Sequence, residues 1–462
     1  MKTIHFKSIQ ILLCFLLLST MISCESFVEV ELPKSQLASE NVFEDYNTAS
    51  AALTEIYASI RDKGILTGGG LGISNQLGNY ADEITSTTNP DNISFYFYSN
   101  ALLPANSYVA LYWNTAYNQI YAANSVLEGI QATKNLTQTQ KNQLQGEALF
   151  IRALIHFYLV NIFGDVPYIN QTDYKINSKV TRTPSDELHR LIIADLELSA
   201  SLLSSSYLSA DRVRPNALTV KALLARVYLY KKSYPEAANM ASAVINQQTL
   251  FKLESITTAF LVTSKETIWQ LQSANLGQNT AEAAYFIFTV SPPPLISLSN
   301  TLVNSFTAGD LRRSSWIKSV FNGSAVWYHA YKYKENTTTS VSKEYSIVFR
   351  LAEQYLIRAE ARVMQGDLIG AKEDLNKIRY RANLNDTEAV TQQEIVDAVL
   401  QERQWELFTE YGHRFFDLKR LDKLDSTLKS VKSGWKTTDR LFPIPNTELS
   451  ANPNLKPQNP GY

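Results

Sequence analysis

Apolar residues recur every three to four positions along most of this chain, and that spacing commits it to helices packed on one another. Between residues 107 and 130, Val109, Trp113, Ala116, Ile120, Ala123, Leu127 and Ile130 form one stripe of a long helix. Thr137 and Gln140 have the spacing of a reciprocal N-terminal cap and start the next helix. Its stripe is Leu144, Ala148, Ile151, Ile155, Tyr158 and Ile162, and Gly164 and Pro167 stop it. Thr183-Pro184 opens another helix, with Pro at its first position. Thr391 with Glu394 opens a fourth, expected to run to about Tyr411 and to stop at Gly412.

Two segments look like copies of one unit. The stretch from Tyr228 through Lys231, Ser233, Pro235 and Ala238 to Val244 reads as helix, tight turn, helix. So does the stretch from Gly366 through Gly370 and Ala371 to Ile378. Small alanines stand where the helices cross, as in a tetratricopeptide hairpin. One hairpin cannot bury its apolar face alone, so several must stack. The expected fold is mostly α: a scaffold of such hairpins at about 45–63, 107–163, 183–247 and 351–420, within a single module spanning 24–462.

Two irregular inserts interrupt the helices, at about 64–106 and 250–345. Both are far longer than ordinary connections and are therefore functional candidates. The first carries Gly68-Gly69-Gly70-Leu71-Gly72, then Tyr80, Asp82 and Glu83, then Phe95-Tyr96-Phe97-Tyr98, where a strand would send the two phenylalanines to one face and the two tyrosines to the other. The second has strand-like pieces at 268–271 and 286–290, then Trp316 and Trp327-Tyr328-His329. Residues 441–462 are rich in Pro and Asn and read as an extended wrap.

The beginning of the chain is an address. Lys2 and Lys7 precede an apolar run over residues 9–22, closed by Ser23 and Cys24. That run of about 14 residues is too short to span a bilayer, and no other segment approaches spanning length. Residues 1–23 read as a lipoprotein signal peptide, because Met21-Ile22-Ser23-Cys24 resembles a bacterial lipobox with Cys24 as the acylated residue. Acyl chains would anchor the protein without crossing the membrane. Glu25, Glu29 and Glu31 place acid after the anchor, as surface-export signals do.

Charge and chemistry narrow the function. Lys plus Arg is 43 against 44 for Asp plus Glu, which gives nucleic acid no electrostatic footprint. With 45% hydrophobic and 19% charged residues, the chain has material for a large core. Of two cysteines, Cys14 lies in the signal and Cys24 is acylated, so disulfides, thiolate metal sites and cysteine nucleophiles are excluded. The glycine run lacks a following Gly-Lys-Ser/Thr, no Gly-x-Ser-x-Gly elbow appears, and no calcium-loop spacing is visible. His156 and His413 fall on helical stripes or ends, where packing explains them. Two carboxylates placed in space would suffice for glycoside hydrolysis, but Asp82 and Glu83 are adjacent and point apart. The reading is a non-enzyme without cofactor or metal. Its 25 tyrosines and 20 phenylalanines suit flat-ring recognition of sugars or peptide side chains. Trp113, Trp269 and Trp405 read as core, and Trp435 is open to either role.

Five stretches resemble the SusD/RagB family of surface lipoproteins: residues 113–127 (WNTAYNQIYAANSVL), 146–167, 214–245, 351–378 and 401–420 (QERQWELFTEYGHRFFDLKR), with the ending 441–462. The resemblance spans nearly the whole chain beside Cys24. It implies a tetratricopeptide-like scaffold with a loop-rich ligand face and no catalysis. It further implies an outer-membrane, outward-facing protein that captures oligosaccharides for a SusC-like TonB-dependent transporter. Oligopeptide capture is the alternative. In starch-binding members the sugar platform comes from regions corresponding to 75–100 and 270–335. By region this points to Tyr80, Tyr96, Tyr98, Trp316, Trp327 and Tyr328 as ligand contacts, with Asp82 on the polar rim.

Overall fold

The computed structural model of the chain describes residues 42–87 and 90–462. The signal segment 1–23, Cys24 and the acidic residues after it lie outside the described residues. The main helices are α1 (Tyr46–Asp62), α2 (Ile73–Tyr80), α3 (Ile93–Tyr98), α4 (Ser107–Ala132), α5 (Gln138–Phe163), α6 (Ser185–Leu202), α7 (Ala217–Tyr230), α8 (Tyr234–Ile245), α9 (Ala281–Phe286), α10 (Leu351–Met364), α11 (Leu368–Arg381), α12 (Gln392–Leu407) and α13 (His413–Arg420). The strands are β1 (Ile84–Ser86), β2 (Thr267–Leu271), β3 (Ile296–Leu298), β4 (Ile317–Phe321), β5 (Val326–Ala330) and β6 (Ser346–Arg350).

Each scaffold helix packs on its neighbour: α1 on α4, α4 on α5, α5 on α6, α6 on α7, α7 on α8, α8 on α10, α10 on α11 and α11 on α12. Local signals set the ends. Both capping boxes form, Thr137 with Gln140 and Thr391 with Glu394. The two hairpins are α7–α8 and α10–α11, and Ala352, Ala359 and Ala371 are wholly buried at the crossings of the second. The expected fold class, mostly α with partly β inserts, is therefore the fold observed.

Several local expectations are corrected. Residues 93–98 are helical: the Asn92 side chain accepts the Ser94 N–H, and Ser99 N–H reaches Phe95 O at 2.9 Å. An aromatic run cannot distinguish one period from the other. Residues 286–290 form no strand; α9 ends at Phe286. The helix begun at Thr391 stops at Leu407, where Phe408 leaves the helical conformation with ψ 144, and Gly412, at φ +74, caps α13 instead. Pro184 stands at the cap of α6, one residue before its first turn. The C-terminal wrap includes a helical turn at Asn446–Ala451. α5 is long and apolar enough to cross a membrane, against expectation, but 94% of its most apolar window is buried, which makes it the central core helix.

The inserts build the β structure. A four-stranded antiparallel sheet has the order β1-β3-β5-β4, with Ile84 opposite Leu298 and Val320 opposite Trp327. The two inserts thus share one sheet. A separate pair, β2 and β6, brings Trp269 opposite Phe349 in the core. The second insert is also tied to the C-terminal helices by buried charges. Arg312 meets Asp310 at 2.8 Å, Glu402 at 2.7 Å and Glu406 at 3.0 Å. Arg350 meets Glu266 at 2.9 Å and Glu410 at 2.8 Å. Such a network adds little net stability, but breaking one member strands its partner in a dry interior.

Candidate ligand-binding site

The glycine run acts as a floor. At Gly68 an added β-carbon would stand 2.0 Å from Glu282 Oε2, and at Gly70 it would stand 2.5 Å from Tyr285 Cε2. Only a chain without side chains can lie this close to α9. The loop is then held from below: Asn75 Nδ2 donates to Gly70 O at 2.8 Å and to Tyr285 Oη at 3.1 Å, and Gln76 Nε2 donates to Gly70 O at 2.6 Å. Ser94 Oγ of α3 accepts from Asn75 at 3.3 Å.

Above this floor opens a cleft of about 430 Å³, lined by Gly69, Gln278, Tyr285, Glu335, Asn336 and Thr337, among others. The second wall is fixed by Asn279. Its amide donates to Thr337 O at 2.9 Å and Thr339 Oγ1 at 3.0 Å, and its oxygen accepts the Lys343 N–H at 2.9 Å. Gln278, Asn336 and Thr337 are exposed, whereas Tyr285 is half-buried. The cleft thus offers one aromatic ring, amide and hydroxyl groups, and the single charge of Glu335. That chemistry suits a neutral, hydroxyl-rich ligand.

The residues singled out in the sequence are placed differently. Tyr80 is fully buried and corrected to core: its ring packs edge-on against Phe97, Phe415, Trp435 and Phe442 at 5.0–6.5 Å. Trp316 is likewise buried at 0% exposure, its indole N–H donating to Ile256 O at 2.8 Å, with Lys332 Nζ 5.1 Å above the ring. Asp82 is corrected as well, being buried in a two-bond pair with Arg414 at 2.8 and 2.7 Å. Tyr96, Tyr98, Trp327 and Tyr328 are half-buried. Tyr98 carries Lys432 Nζ 3.7 Å over its ring, and Tyr328 carries the Arg313 guanidinium at 4.9 Å. None of the seven lines the cleft; Tyr285, its aromatic, stood unmarked in the sequence, and the glycine run was the one signal pointing to it.

His156 is held by the backbone on both sides of its ring. His156 Nδ1 meets Arg152 O at 2.8 Å and Nε2 accepts the Ile169 N–H at 3.2 Å, and burial pushes its pKa down to about 3. Among the described residues no cluster of three or more His, Cys, Asp or Glu is placed to hold a metal ion. A larger groove of about 600 Å³ lies along α4, where Tyr117, Tyr121 and Tyr174 line it.

Comparison with known proteins gives a consistent result. A family model described as "Starch-binding associating with outer membrane" matches residues 29–229, and a "SusD family" model matches 299–462. SusD-like protein P2 of Formosa agariphila is 27% identical over 96% of this chain and 98% of its own length. A SusD superfamily protein from Bacteroides vulgatus superposes with TM-score 0.80 at 22% identity, over 91% of this chain and all of that one. A laminarin-binding SusD-like protein superposes with TM-score 0.74 at 22% identity, over 90% and 99%. With two family models meeting it from either end, this chain belongs to the SusD/RagB family.

Proposed function

We propose that this chain is a non-catalytic lipoprotein, acylated at Cys24 and facing outward from the outer membrane. It captures oligosaccharides and passes them to a SusC-like TonB-dependent transporter. The observation that carries the reading is the cleft where both inserts meet. Its tyrosine ring, its amide and hydroxyl rim and its near absence of charge match sugar rings, whose apolar faces stack and whose hydroxyls need paired donors and acceptors. The starch-binding description of the matched family and the laminarin-binding neighbour of the same fold support a glycan as the ligand class. Tyr96, Tyr98, Trp327 and Tyr328 remain proposed as outlying contacts for a longer chain. The unit 24–462 acts as one module behind a removed signal of residues 1–23.

Calorimetric titration against matched panels of oligosaccharides and oligopeptides, with product analysis on the same samples, tests this. Saccharide binding without product, weakened in Tyr285→Ala, is expected. Peptide binding alone would move the assignment to oligopeptide capture, and product formation would overturn the non-catalytic reading. Fatty-acid labelling lost in Cys24→Ala tests the anchor.

A further inference from the structure

A second polar cavity, of about 470 Å³, lies between the end of α5, the start of α6, α13 and the C-terminal segment. Four cationic or protonatable side chains line it: Arg182, His189, Lys419 and Arg440. Their partners are nearly all neutral. Lys419 Nζ donates to the neutral Asn161 O at 2.6 Å, and an ammonium can make three such bonds. Arg182 donates to Asp165 O at 2.6 Å, Pro457 O at 2.8 Å and Asn459 Oδ1 at 2.6 Å, all uncharged groups. Arg440 touches Asp422 at 3.5 Å in an exposed pair. The carboxylate of the cavity, Asp165, is engaged by Ser185, whose N–H and hydroxyl donate to Oδ1 at 2.8 and 2.7 Å. Arg182, Lys419 and Arg440 therefore border one cavity whose carboxylate, Asp165, faces Arg182 and is already hydrogen-bonded by Ser185.

We propose that this cavity binds a small oxyanion, a carboxylate, sulfate or phosphate group, through Lys419, Arg440 and Arg182. Such groups accept several charge-assisted hydrogen bonds at once, and guanidinium forks match their geometry. Burial and the nearby Arg440 charge push Lys419 down to about 7. An anion settling beside it raises that value again, so binding near pH 7.5 takes up a proton. This site is separate from the cleft of Tyr285 and does not depend on its ligand.

The test is calorimetry of the full chain in neutral detergent with sodium sulfate, sodium phosphate, sodium glucuronate and glucose, each against sodium chloride of equal ionic strength. Repeating it in buffers of different ionisation enthalpy counts the protons. Saturable binding of at least one oxyanion, absent with glucose and chloride, is expected. Response to the inorganic ions alone identifies a free-ion site, and response to glucuronate identifies a sugar-acid site. Arg440→Gln, at an exposed position, should weaken binding about tenfold. Lys419→Met should abolish the proton uptake. Chloride reproducing the effect, or unchanged affinity in Arg440→Gln, would overturn the proposal even if Lys419→Met failed to fold.

Discussion

The ring of Tyr285 lies directly against the backbone of Gly70, 210 residues from the Asn75 amide bond that fixes its hydroxyl. A loop from one insert is the surface on which the aromatic of the other rests. The first prediction follows from that contact. In Gly70→Ala the new methyl group must displace the ring, costing about 1–3 kcal/mol as overpacking does. Chemical denaturation should show that modest loss, and titration should show saccharide binding reduced by more than the stability change explains. Unaltered affinity would detach the cleft from the binding function.

Trp316 and Trp327 make opposite predictions, although both stand in the same insert. Trp316 is enclosed, hydrogen-bonded and roofed by Lys332, so Trp316→Ala should cost about 3–5 kcal/mol. Trp327 is half-buried on β5, so Trp327→Ala should cost on the order of 1 kcal/mol. Urea midpoints of the two variants give the comparison directly; equal losses would refute it.

That contrast shows what the sequence could carry. Helix starts were legible because their causes are local: Thr137 and Gln140, or Thr391 and Glu394, bond within one turn. The hairpin scaffold was legible because alanines at crossings repeat. The burial of Trp316 was not, since Ile256 and Lys332, which enclose it, come from distant positions. The same holds for Tyr80, whose neighbours Phe415, Trp435 and Phe442 arrive from the far end of the chain. Tyr285 carries no such local signal, because it sits among alanines in a short helix. Its role appears only once Gly70 is beneath it.

Arg226 and Glu353 join α7 to α10 through two bonds of 2.7 Å each, with the Tyr158 hydroxyl 3.0 Å from the same guanidinium. Both side chains are almost wholly buried. Arg226→Met alone strands a carboxylate and should destabilise by about 3–5 kcal/mol, whereas Arg226→Met with Glu353→Leu should recover most of that loss. Denaturation of the wild type, both single variants and the double variant closes the cycle. Additive losses would mean that the two residues do not act as a pair.

The last prediction concerns pH. Glu83 is buried beside Asp82, and its pKa is pushed up to about 8 from 4.5, first by burial and then by the charge of Asp82. The folded protein therefore holds this proton over a range in which the unfolded chain has released it. Its contribution to stability is complete below about pH 4.5 and drains away as the pH climbs through about 8. Lys332, Lys419 and Lys432 are pushed down to about 8, 7 and 7 and act in the opposite sense, since raising the pH relieves a buried charge. Comparing wild type with Glu83→Gln removes the lysines from the balance, because both proteins share them. The amide resembles the protonated carboxyl in shape and cannot ionise. The melting temperature of Glu83→Gln relative to wild type should therefore rise steadily between pH 5 and pH 8. Calorimetry at those two values decides it: a difference that stays constant would mean that Glu83 is ionised throughout, with Arg414 outweighing its burial.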